Sequence, residues 1–192
     1  NIIKPGDIIM DIVSDRSILS AERTALNIIQ RLSGIATKTR NLVEVVKPYP
    51  RTKIYDTRKT TPNLRAMEKY AVRVGGGENH RYGLFDSFLI KDNHIAVCRS
   101  FNNISELIKT ARKRYSGKEV EIEVKSFDEV KKAVNMDVDV IMLDNMDLKR
   151  MSKAIAIIRA KRSDIEIEIS GGVNETNVKE IAKLEPDRIS IG

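Results

Sequence analysis

Two carboxylates interrupt an otherwise apolar stretch of the chain. Glu121 and Glu123 lie within the run 120–124, whose other residues are Val and Ile. Alternate residues of a strand point to the same face, so both carboxylates are expected on one face. A carboxylate is costly to bury unless it meets a cation or a metal ion. The pattern predicts either the interior of a barrel or a strand at the edge of a sheet with this face in solvent.

A further carboxylate, Asp144, directly follows the apolar run 140–143. It would stand at the same level of a barrel as Glu123, at the rim formed by the carboxyl ends of the strands. Mg²⁺ usually takes one or two carboxylates together with phosphate oxygens and water. Glu123 and Asp144 are therefore candidate ligands for Mg²⁺, although the pairing alone is a weak signal.

Basic side chains gather after two other apolar runs and in the loop between them: Arg58, Lys59, His80, Arg81 and Lys91. The planar fork of arginine bonds two oxygens of a carboxylate or phosphate together. A ligand with several negative charges is the natural partner of such a group. A single histidine is more often structural, but the adjacency of His80 to Arg81 favours a place in the site.

A glycine pair follows another apolar run, in the string Ser170-Gly171-Gly172, and a helix is expected from Asn174. Glycines let the backbone approach a ligand, and amides at a helix N-terminus favour phosphate. Gly192 stands in the matching place after the next run. The alternative is a plain turn between strand and helix. The triplet 75–77 lacks the Gly-Lys-Ser/Thr ending of a P-loop, so it is not interpreted as a nucleotide site.

Six short apolar runs that end in polar residues alternate with helical patterns, which predicts parallel βα units. The strands are expected at residues 53–55, 88–90, 120–124, 140–143, 165–169 and 188–191, and the helices at 64–74, 104–115, 127–134, 148–160 and 174–184. Parallel strands are buried on both faces, which explains their apolar runs. Six strands in place of eight indicate an incomplete, open α/β barrel of TIM type, with chemistry at the carboxyl ends. A doubly wound open sheet is the alternative.

The first 50 residues carry a different pattern. A strand is expected near 8–13, and a helix follows with Ser20 as its N-cap. A second helix is expected at about 35–47, ended by Pro48. We interpret residues 1–26 as the end of an N-terminal α/β sandwich domain with a linking helix, and residues 27–192 as the catalytic barrel domain.

The composition narrows the class of protein. The chain has 192 residues, a net charge of +7, 5% aromatic residues and one cysteine, Cys98. Its basic residues are scattered and no aromatic platform interleaves with them, which argues against a nucleic-acid partner. No apolar run approaches the ~20 residues needed to cross a bilayer, and no signal peptide is visible, so neither a membrane nor secretion is expected. One cysteine, unable to form an internal disulfide, favours the reducing cytoplasm.

Seven strings in this order resemble quinolinate phosphoribosyltransferases: ERTALN at 22–27, RLSGIAT at 31–37, DTRKTTP at 56–62, GGGENHR at 75–81, LIKDNH at 89–94, MLDNM at 142–146 and EISGG at 168–172. The resemblance covers essentially the whole chain. It implies an N-terminal α/β sandwich followed by an incomplete barrel, in dimers or larger assemblies that share active sites. It also implies that phosphoribosyl pyrophosphate and quinolinate react with Mg²⁺ to give nicotinate mononucleotide, pyrophosphate and carbon dioxide, a step of NAD biosynthesis.

The resemblance also implies roles for individual residues. Arg58, His80 and Arg81 would line the quinolinate pocket, and Arg23 would reach it from the neighbouring subunit. Lys59 and Lys91 would contact the anionic substrates.

The remaining motif positions concern the phosphoribosyl group. The resemblance implies that Glu123 and Asp144 face the ribose and the metal-bound pyrophosphate, and that Ser170, Gly171 and Gly192 form the phosphate cradle.

Other functions stay open at this point. A protein of the same fold encoded with molybdate transport could use another pyridine-like substrate, although the intact DTRKTTP string favours the quinolinate enzyme. A barrel lyase or aldolase could form a Schiff base on Lys91. A basic nucleic-acid-binding domain would bind DNA with a steep dependence on salt.

Overall fold

The computed structural model describes residues 3–192, in which six strands alternate with seven helices. In chain order they are α1 (Ile18–Val46), β1 (Lys53–Tyr55), α2 (Arg65–Val74), β2 (Phe88–Ile90), α3 (Asp92–Cys98), α4 (Phe101–Arg114), β3 (Val120–Val124), α5 (Phe127–Ala133), β4 (Val140–Asp144), α6 (Leu148–Lys161), β5 (Glu166–Ser170), α7 (Val178–Ala182) and β6 (Arg188–Ser190). All six predicted strands are present. Helix α3 was not expected from the sequence, and α7 is shorter than predicted.

The strands form one parallel sheet in the order β1-β6-β5-β4-β3-β2. From β2 to β6 each strand lies beside the next one in sequence, and β1 then follows β6. This is the order of an α/β barrel that is interrupted between β1 and β2, and it lacks the reversal that marks a doubly wound sheet. The predicted α/β class is confirmed, and the strand order agrees with an incomplete barrel.

The two faces of the sheet differ in chemistry because successive side chains alternate between them. On the face that packs against the helices, the central strands place fully buried aliphatic residues such as Ile122, Leu143 and Ile169. The strand register places Glu121 and Glu123 of β3 on the same inner face as Glu166 and Glu168 of β5, with Val140 and Met142 of β4 between them. Strand β3 lies between β2 and β4, so the alternative of a solvent-facing edge strand is wrong.

Helix α1 is one continuous helix of 29 residues, where the sequence predicted two. Its N-cap is Ser17, whose backbone N–H donates to Asp15 Oδ1 at 2.8 Å, and Ser20 lies inside the helix. Gly34 does not interrupt it, since one glycine costs a helix only about 1 kcal/mol and α1 packs along α2 and β1. No helix within residues 3–192 is long and apolar enough to span a membrane.

The glycine triplet between α2 and β2 serves helix packing. A Cβ atom on Gly75 would stand 2.5 Å from the carbonyl oxygen of Ala36, and one on Gly77 would stand 2.8 Å from Thr39 Cγ2. Both contacts lie on α1. The triplet therefore lets the chain after α2 pass directly against α1, which positions the loop that follows it.

The predicted strand at 8–13 is wrong. This segment is not part of any strand, and its apolar side chains, such as Ile8 and Val13, are exposed. An extended segment becomes a strand only by pairing its backbone with a neighbour, and no such neighbour lies within residues 3–192.

Candidate functional site

A cavity of about 200 Å³ opens at the carboxyl ends of the strands. It is lined by Thr57, Arg58, Lys59, His80, Arg81, Leu89, Lys91, Glu123, Met142, Asp144, Glu168, Ser170 and Ser190. Eight of the residues singled out from the sequence thus meet in one place, although they come from five strands and the loop before β2. The cavity combines five basic side chains with three carboxylates.

Arg58 and Arg81 both line this cavity, and their positive charges repel each other. Arg58 follows β1, and its carbonyl oxygen accepts a hydrogen bond from Arg65 Nη2 at 3.2 Å. The half-buried Arg81 donates from Nη1 to the carbonyl oxygen of Ser87 at 3.2 Å. Burial and the positive charge of Arg58 lower the pKa of Arg81. An anionic ligand between the two guanidinium groups would relieve this repulsion, so the arrangement suits a carboxylate or a phosphate.

His80 lines the cavity, with its Nε2 atom between two fully buried carboxylates. Nε2 is 3.0 Å from Glu121 Oε2 on β3 and 3.5 Å from Glu168 Oε2 on β5. The other ring nitrogen, Nδ1, accepts from the backbone N–H of Arg81 at 2.9 Å. Neither Nε2 nor any oxygen of the two carboxylates has a well-aligned hydrogen bond within residues 3–192. The three groups therefore depend on one another.

The protonation of this group follows from its surroundings. Burial lowers the pKa of His80, but the adjoining Glu121 and Glu168 outweigh burial and raise it to about 10. Burial and the charge of Glu168 raise the pKa of Glu121 to about 7. The raised pKa favours a charged ring, whereas acceptance by Nδ1 fits a neutral ring. A proton on Nε2 is common to both states, whereas the contact of Nδ1 with Arg81 belongs to the neutral ring, which is the state we use below.

A buried ion pair fixes the backbone around His80. Lys69 Nζ lies 2.5 Å from Asp56 Oδ1 and donates to the carbonyl oxygen of His80 at 2.8 Å. Asp56 also accepts from the backbone N–H of His80 at 2.8 Å and from Asn79 Nδ2 at 2.6 Å. Glu78 bridges to Tyr55 on β1. Residues 78–81 thus lie beside β1 in the gap of the sheet, and His80 cannot shift without breaking this network.

The rim near β3 and β4 holds carboxylates and ammonium groups in alternation. Lys91 Nζ lies 3.8 Å from Glu123 Oε2, and Lys125 Nζ lies 3.5 Å from Glu123 Oε1 and 3.8 Å from Asp144 Oδ2. Hydrogen bonding to Asp92 at 2.6 Å raises the pKa of Lys125 to about 12. Lys125 was not singled out from the sequence, since nothing in its neighbourhood distinguishes it from a solvated lysine.

The glycine turn after β5 is shaped by backbone conformation. Gly171 has a φ of +87°, and a Cβ atom there would lie 2.4 Å from Asn145 Oδ1. Ser170 lines the main cavity, whereas Gly171 borders a neighbouring one beside Asn145. Gly192 and Lys59 border a further cavity of about 230 Å³ between α1 and β1. The predicted phosphate cradle is thus spread around the rim.

Arg23 is the one predicted site residue that lies outside these cavities. It is exposed on the first half of α1 and lines none of the cavities that hold the other site residues. No contact within residues 3–192 brings it to the pocket, and its action on a neighbouring subunit stays a prediction.

Fold and site together define a class: an α/β barrel protein whose strand ends hold a cation-rich pocket for an anionic ligand, with carboxylates on one side. Comparison with known proteins narrows it. The model of the family "Quinolinate phosphoribosyl transferase, C-terminal domain" matches residues 35–192. This chain belongs to the quinolinate phosphoribosyltransferase family.

Curated relatives agree. The chain is 45% identical to a probable nicotinate-nucleotide pyrophosphorylase [carboxylating] of Synechocystis, over 91% of this chain and 58% of the relative. It is 43% identical to the protein of the same description from Archaeoglobus fulgidus, over 99% of this chain and 73% of the relative. The solved nicotinate-nucleotide pyrophosphorylase from Francisella tularensis superposes with a TM-score of 0.83 at 46% identity, covering 93% of this chain and 61% of that one. The chain spans about three fifths of the length of the first of these relatives and of the solved structure.

Proposed function

We propose that this chain carries the catalytic barrel of a quinolinate phosphoribosyltransferase, which transfers the phosphoribosyl group of phosphoribosyl pyrophosphate to quinolinate. The observation that carries the proposal is the joint lining of one cavity by Arg58, Lys59, His80, Arg81 and Lys91. Quinolinate has two adjacent carboxylates, and two arginines with neighbouring cations suit both of them. The relatives named nicotinate-nucleotide pyrophosphorylase [carboxylating] support the same reaction.

The proposed reaction begins with displacement at the anomeric carbon of the ribose. The ring nitrogen of quinolinate forms a bond to that carbon while the bond to pyrophosphate breaks. Arg58 and Arg81 hold the carboxylates and so orient a weak nucleophile, which lowers the entropic part of the barrier. Positive charge grows on the ribose as pyrophosphate leaves, and the carboxylates of Glu123 and Asp144 stabilise it.

Decarboxylation completes the sequence. The pyridinium formed in the first step withdraws electrons from the ring, so the carboxylate next to the nitrogen leaves as carbon dioxide. The ring carbon then takes up a proton, and the product is nicotinate mononucleotide, a precursor of NAD. Lys59 and Lys91 contact the anionic substrates, while Ser170, Gly171 and Gly192 receive phosphate oxygens in this proposal.

Magnesium is the proposed cofactor. Glu123 and Asp144 share the contacts of Lys125, so they stand close enough to face one cation, and their oxygens are the donors that Mg²⁺ prefers. Together with phosphate oxygens and water they fit that ion. When bound, Mg²⁺ would neutralise the charge of the leaving pyrophosphate.

The proposed assembly is a cytoplasmic homodimer or larger homo-oligomer in which Arg23 of one subunit completes the pocket of the next. Its exposure on α1 leaves the side chain free for such a contact.

The direct test is calorimetric titration of the full-length protein with quinolinate, with nicotinate as the comparison ligand. Clear binding of quinolinate and much weaker binding of nicotinate are expected of a pocket for two carboxylates. Arg58→Ala should weaken quinolinate binding by roughly 1.5 to 3 kcal/mol, the range for a hydrogen bond to a charged group, or about 10- to 150-fold in Kd. Arg73→Ala is the control, since Arg73 is exposed at the end of α2 and outside the cavity.

A second variant separates the two substrates. Glu123→Ala should keep its quinolinate affinity and lose turnover with phosphoribosyl pyrophosphate, because Glu123 faces the ribose in the proposal. Unchanged affinity in Arg58→Ala, or equal binding of quinolinate and nicotinate, would show that the basic rim serves another anion.

A further inference from the structure

The paired carboxylates of Glu121 and Glu168 have no place in the reaction as proposed, although both are fully buried and Glu168 lies in the wall of the pocket. Two carboxylates without solvent are costly to keep in a protein unless cations or hydrogen-bond donors meet them. Nε2 of His80 contacts both of them, at 3.0 and 3.5 Å, without a well-aligned hydrogen bond to either. Such a costly arrangement suggests that the ring of His80 must be held in one orientation.

The other edge of the same ring acts on Arg81. Its Nδ1 atom accepts from the backbone N–H of Arg81 at 2.9 Å. A ring rotated by half a turn about its own axis would lose both contacts at once. The carboxylates therefore orient the ring, and the ring positions the backbone N–H of Arg81. The place of the Arg81 guanidinium group in the cavity follows from that backbone position.

We propose that Glu121 and Glu168 are positioning residues of the quinolinate pocket: they hold the His80 ring by their contacts with its Nε2 atom, and the ring holds the backbone of Arg81. This inference rests on the proposed function, since it assigns the pocket to quinolinate. Neither carboxylate touches the substrate in this scheme. Their effect reaches the substrate through His80 and Arg81.

Glu168→Gln gives a test in which two explanations predict opposite signs. If the carboxylate acted only through its charge, its removal from beneath an anion site would tighten quinolinate binding. If it positions His80, the Kd and KM for quinolinate should rise about 5- to 10-fold, the size of one lost hydrogen bond. The affinity for phosphoribosyl pyrophosphate and kcat should change by less than about twofold, because that substrate binds on the side of Glu123.

Glu166→Gln is the matched control. Glu166 lies two residues before Glu168 on the same face of β5, and its substitution by glutamine removes the same charge. Glu166 contacts Arg188 and not His80. Its quinolinate affinity should equal that of the unsubstituted protein. A lowered melting temperature in Glu168→Gln with unchanged quinolinate affinity would mean a merely structural role and would overturn the proposal, as would tighter binding.

Nuclear magnetic resonance gives a second readout, which observes the His80 ring directly in the unsubstituted protein and in Glu168→Gln. The chain has two histidines, so ¹⁵N-labelled ring signals can be assigned with His94→Asn. We expect a proton on Nε2 of His80 that exchanges slowly with water, and ring signals that shift in Glu168→Gln. The atoms of His80, Glu121 and Glu168 that could bind a metal ion lie within 4.8 Å of one another, a spacing that a divalent cation also accepts. A bare or metal-bound Nε2 would refute the proposal.

The proposed function and the positioning role of Glu168 can be refuted separately. If the unsubstituted protein does not bind quinolinate at all, the proposed function is wrong. If it binds quinolinate and Glu168→Gln binds equally well or better, only the positioning role is wrong.

Discussion

Replacing Asp56 by alanine removes one half of a buried ion pair and should strongly destabilise the protein. Asp56 and Lys69 have side chains that are 9% and 4% exposed, and their charged atoms lie 2.5 Å apart. Without Asp56, the ammonium group of Lys69 stays buried with only the carbonyl oxygen of His80 at 2.8 Å. The backbone N–H of His80 loses its acceptor as well, and the side-chain amide of Asn79 keeps only the carbonyl oxygen of Lys69 at 3.0 Å.

Breaking a buried pair by removing one partner costs about 3–5 kcal/mol of stability. An unsatisfied buried donor adds about 1–3 kcal/mol, but these terms overlap because the same rearrangement relieves them. We therefore expect Asp56→Ala to lower the free energy of unfolding by about 3–5 kcal/mol. Urea unfolding followed by circular dichroism measures it as a lower midpoint at an unchanged slope.

Two further variants make the reasoning refutable. Glu106→Ala removes a carboxylate from the exposed Glu106–Lys109 pair, whose side chains are 72% and 60% exposed, so it should leave the urea midpoint almost unchanged. Adding Lys69→Met to Asp56→Ala removes the orphaned ammonium and should recover part of the loss. The pair is not a stabilising unit if Asp56→Ala lowers the free energy of unfolding no more than Glu106→Ala does. The same conclusion follows if Lys69→Met lowers that free energy as much in the Asp56→Ala background as it does alone.

Two other predictions concern the site. Gly171→Ala brings a Cβ atom into Asn145 Oδ1 at a φ of +87°. It should destabilise the protein by more than about 1 kcal/mol, measured by thermal unfolding, and weaken phosphoribosyl pyrophosphate binding, measured by calorimetry. Equal stability would mean that the turn is not constrained. The carboxylates beside His80 raise its pKa from 6.5 to about 10, and a charged ring would add a stabilising effect that is complete below about pH 6.5 and lost as the pH rises towards 10. A ring whose Nδ1 accepts from Arg81 stays neutral, so unfolding at several pH values should give equal pH profiles for the unsubstituted protein and His80→Gln; a loss in the unsubstituted protein alone would mean that the ring is charged.

The strands and the rim of the site were predictable because both depend on local sequence. A buried parallel strand needs apolar residues on both faces, and the chain must turn polar where the strand ends. Arg58, Lys91, Asp144 and Ser170 all stand at such ends, so adjacency in the sequence was enough to bring them to one rim. The basic and acidic residues of the cavity follow from that single geometric rule.

What the sequence did not reveal depends on contacts between distant segments. The string EISGG contains Glu168, yet nothing local distinguishes a carboxylate that meets His80 from one in solvent. The pairing of Asp56 with Lys69 arises only when α2 packs beside β1. The continuity of α1 through Gly34 likewise depends on its packing against α2, which outweighs the weak helix propensity of one glycine.

The charged layers inside the barrel explain why an interrupted sheet can keep a polar interior. At the floor, Arg188 meets Glu119 at 2.6 Å and Glu166 at 2.5 Å. One layer higher, Glu121 and Glu168 meet His80, and at the rim Glu123 and Asp144 meet lysines. In the two lower layers a single basic side chain faces two carboxylates, and His80 comes from the loop that occupies the gap between β1 and β2. That gap would be filled by further strands in a closed barrel. An inner layer of aliphatic residues would need those strands to cover it, whereas a carboxylate pair needs only one well-placed donor. We infer that the interruption of the barrel and the charge of its interior belong together, because the gap admits the histidine that the carboxylates require.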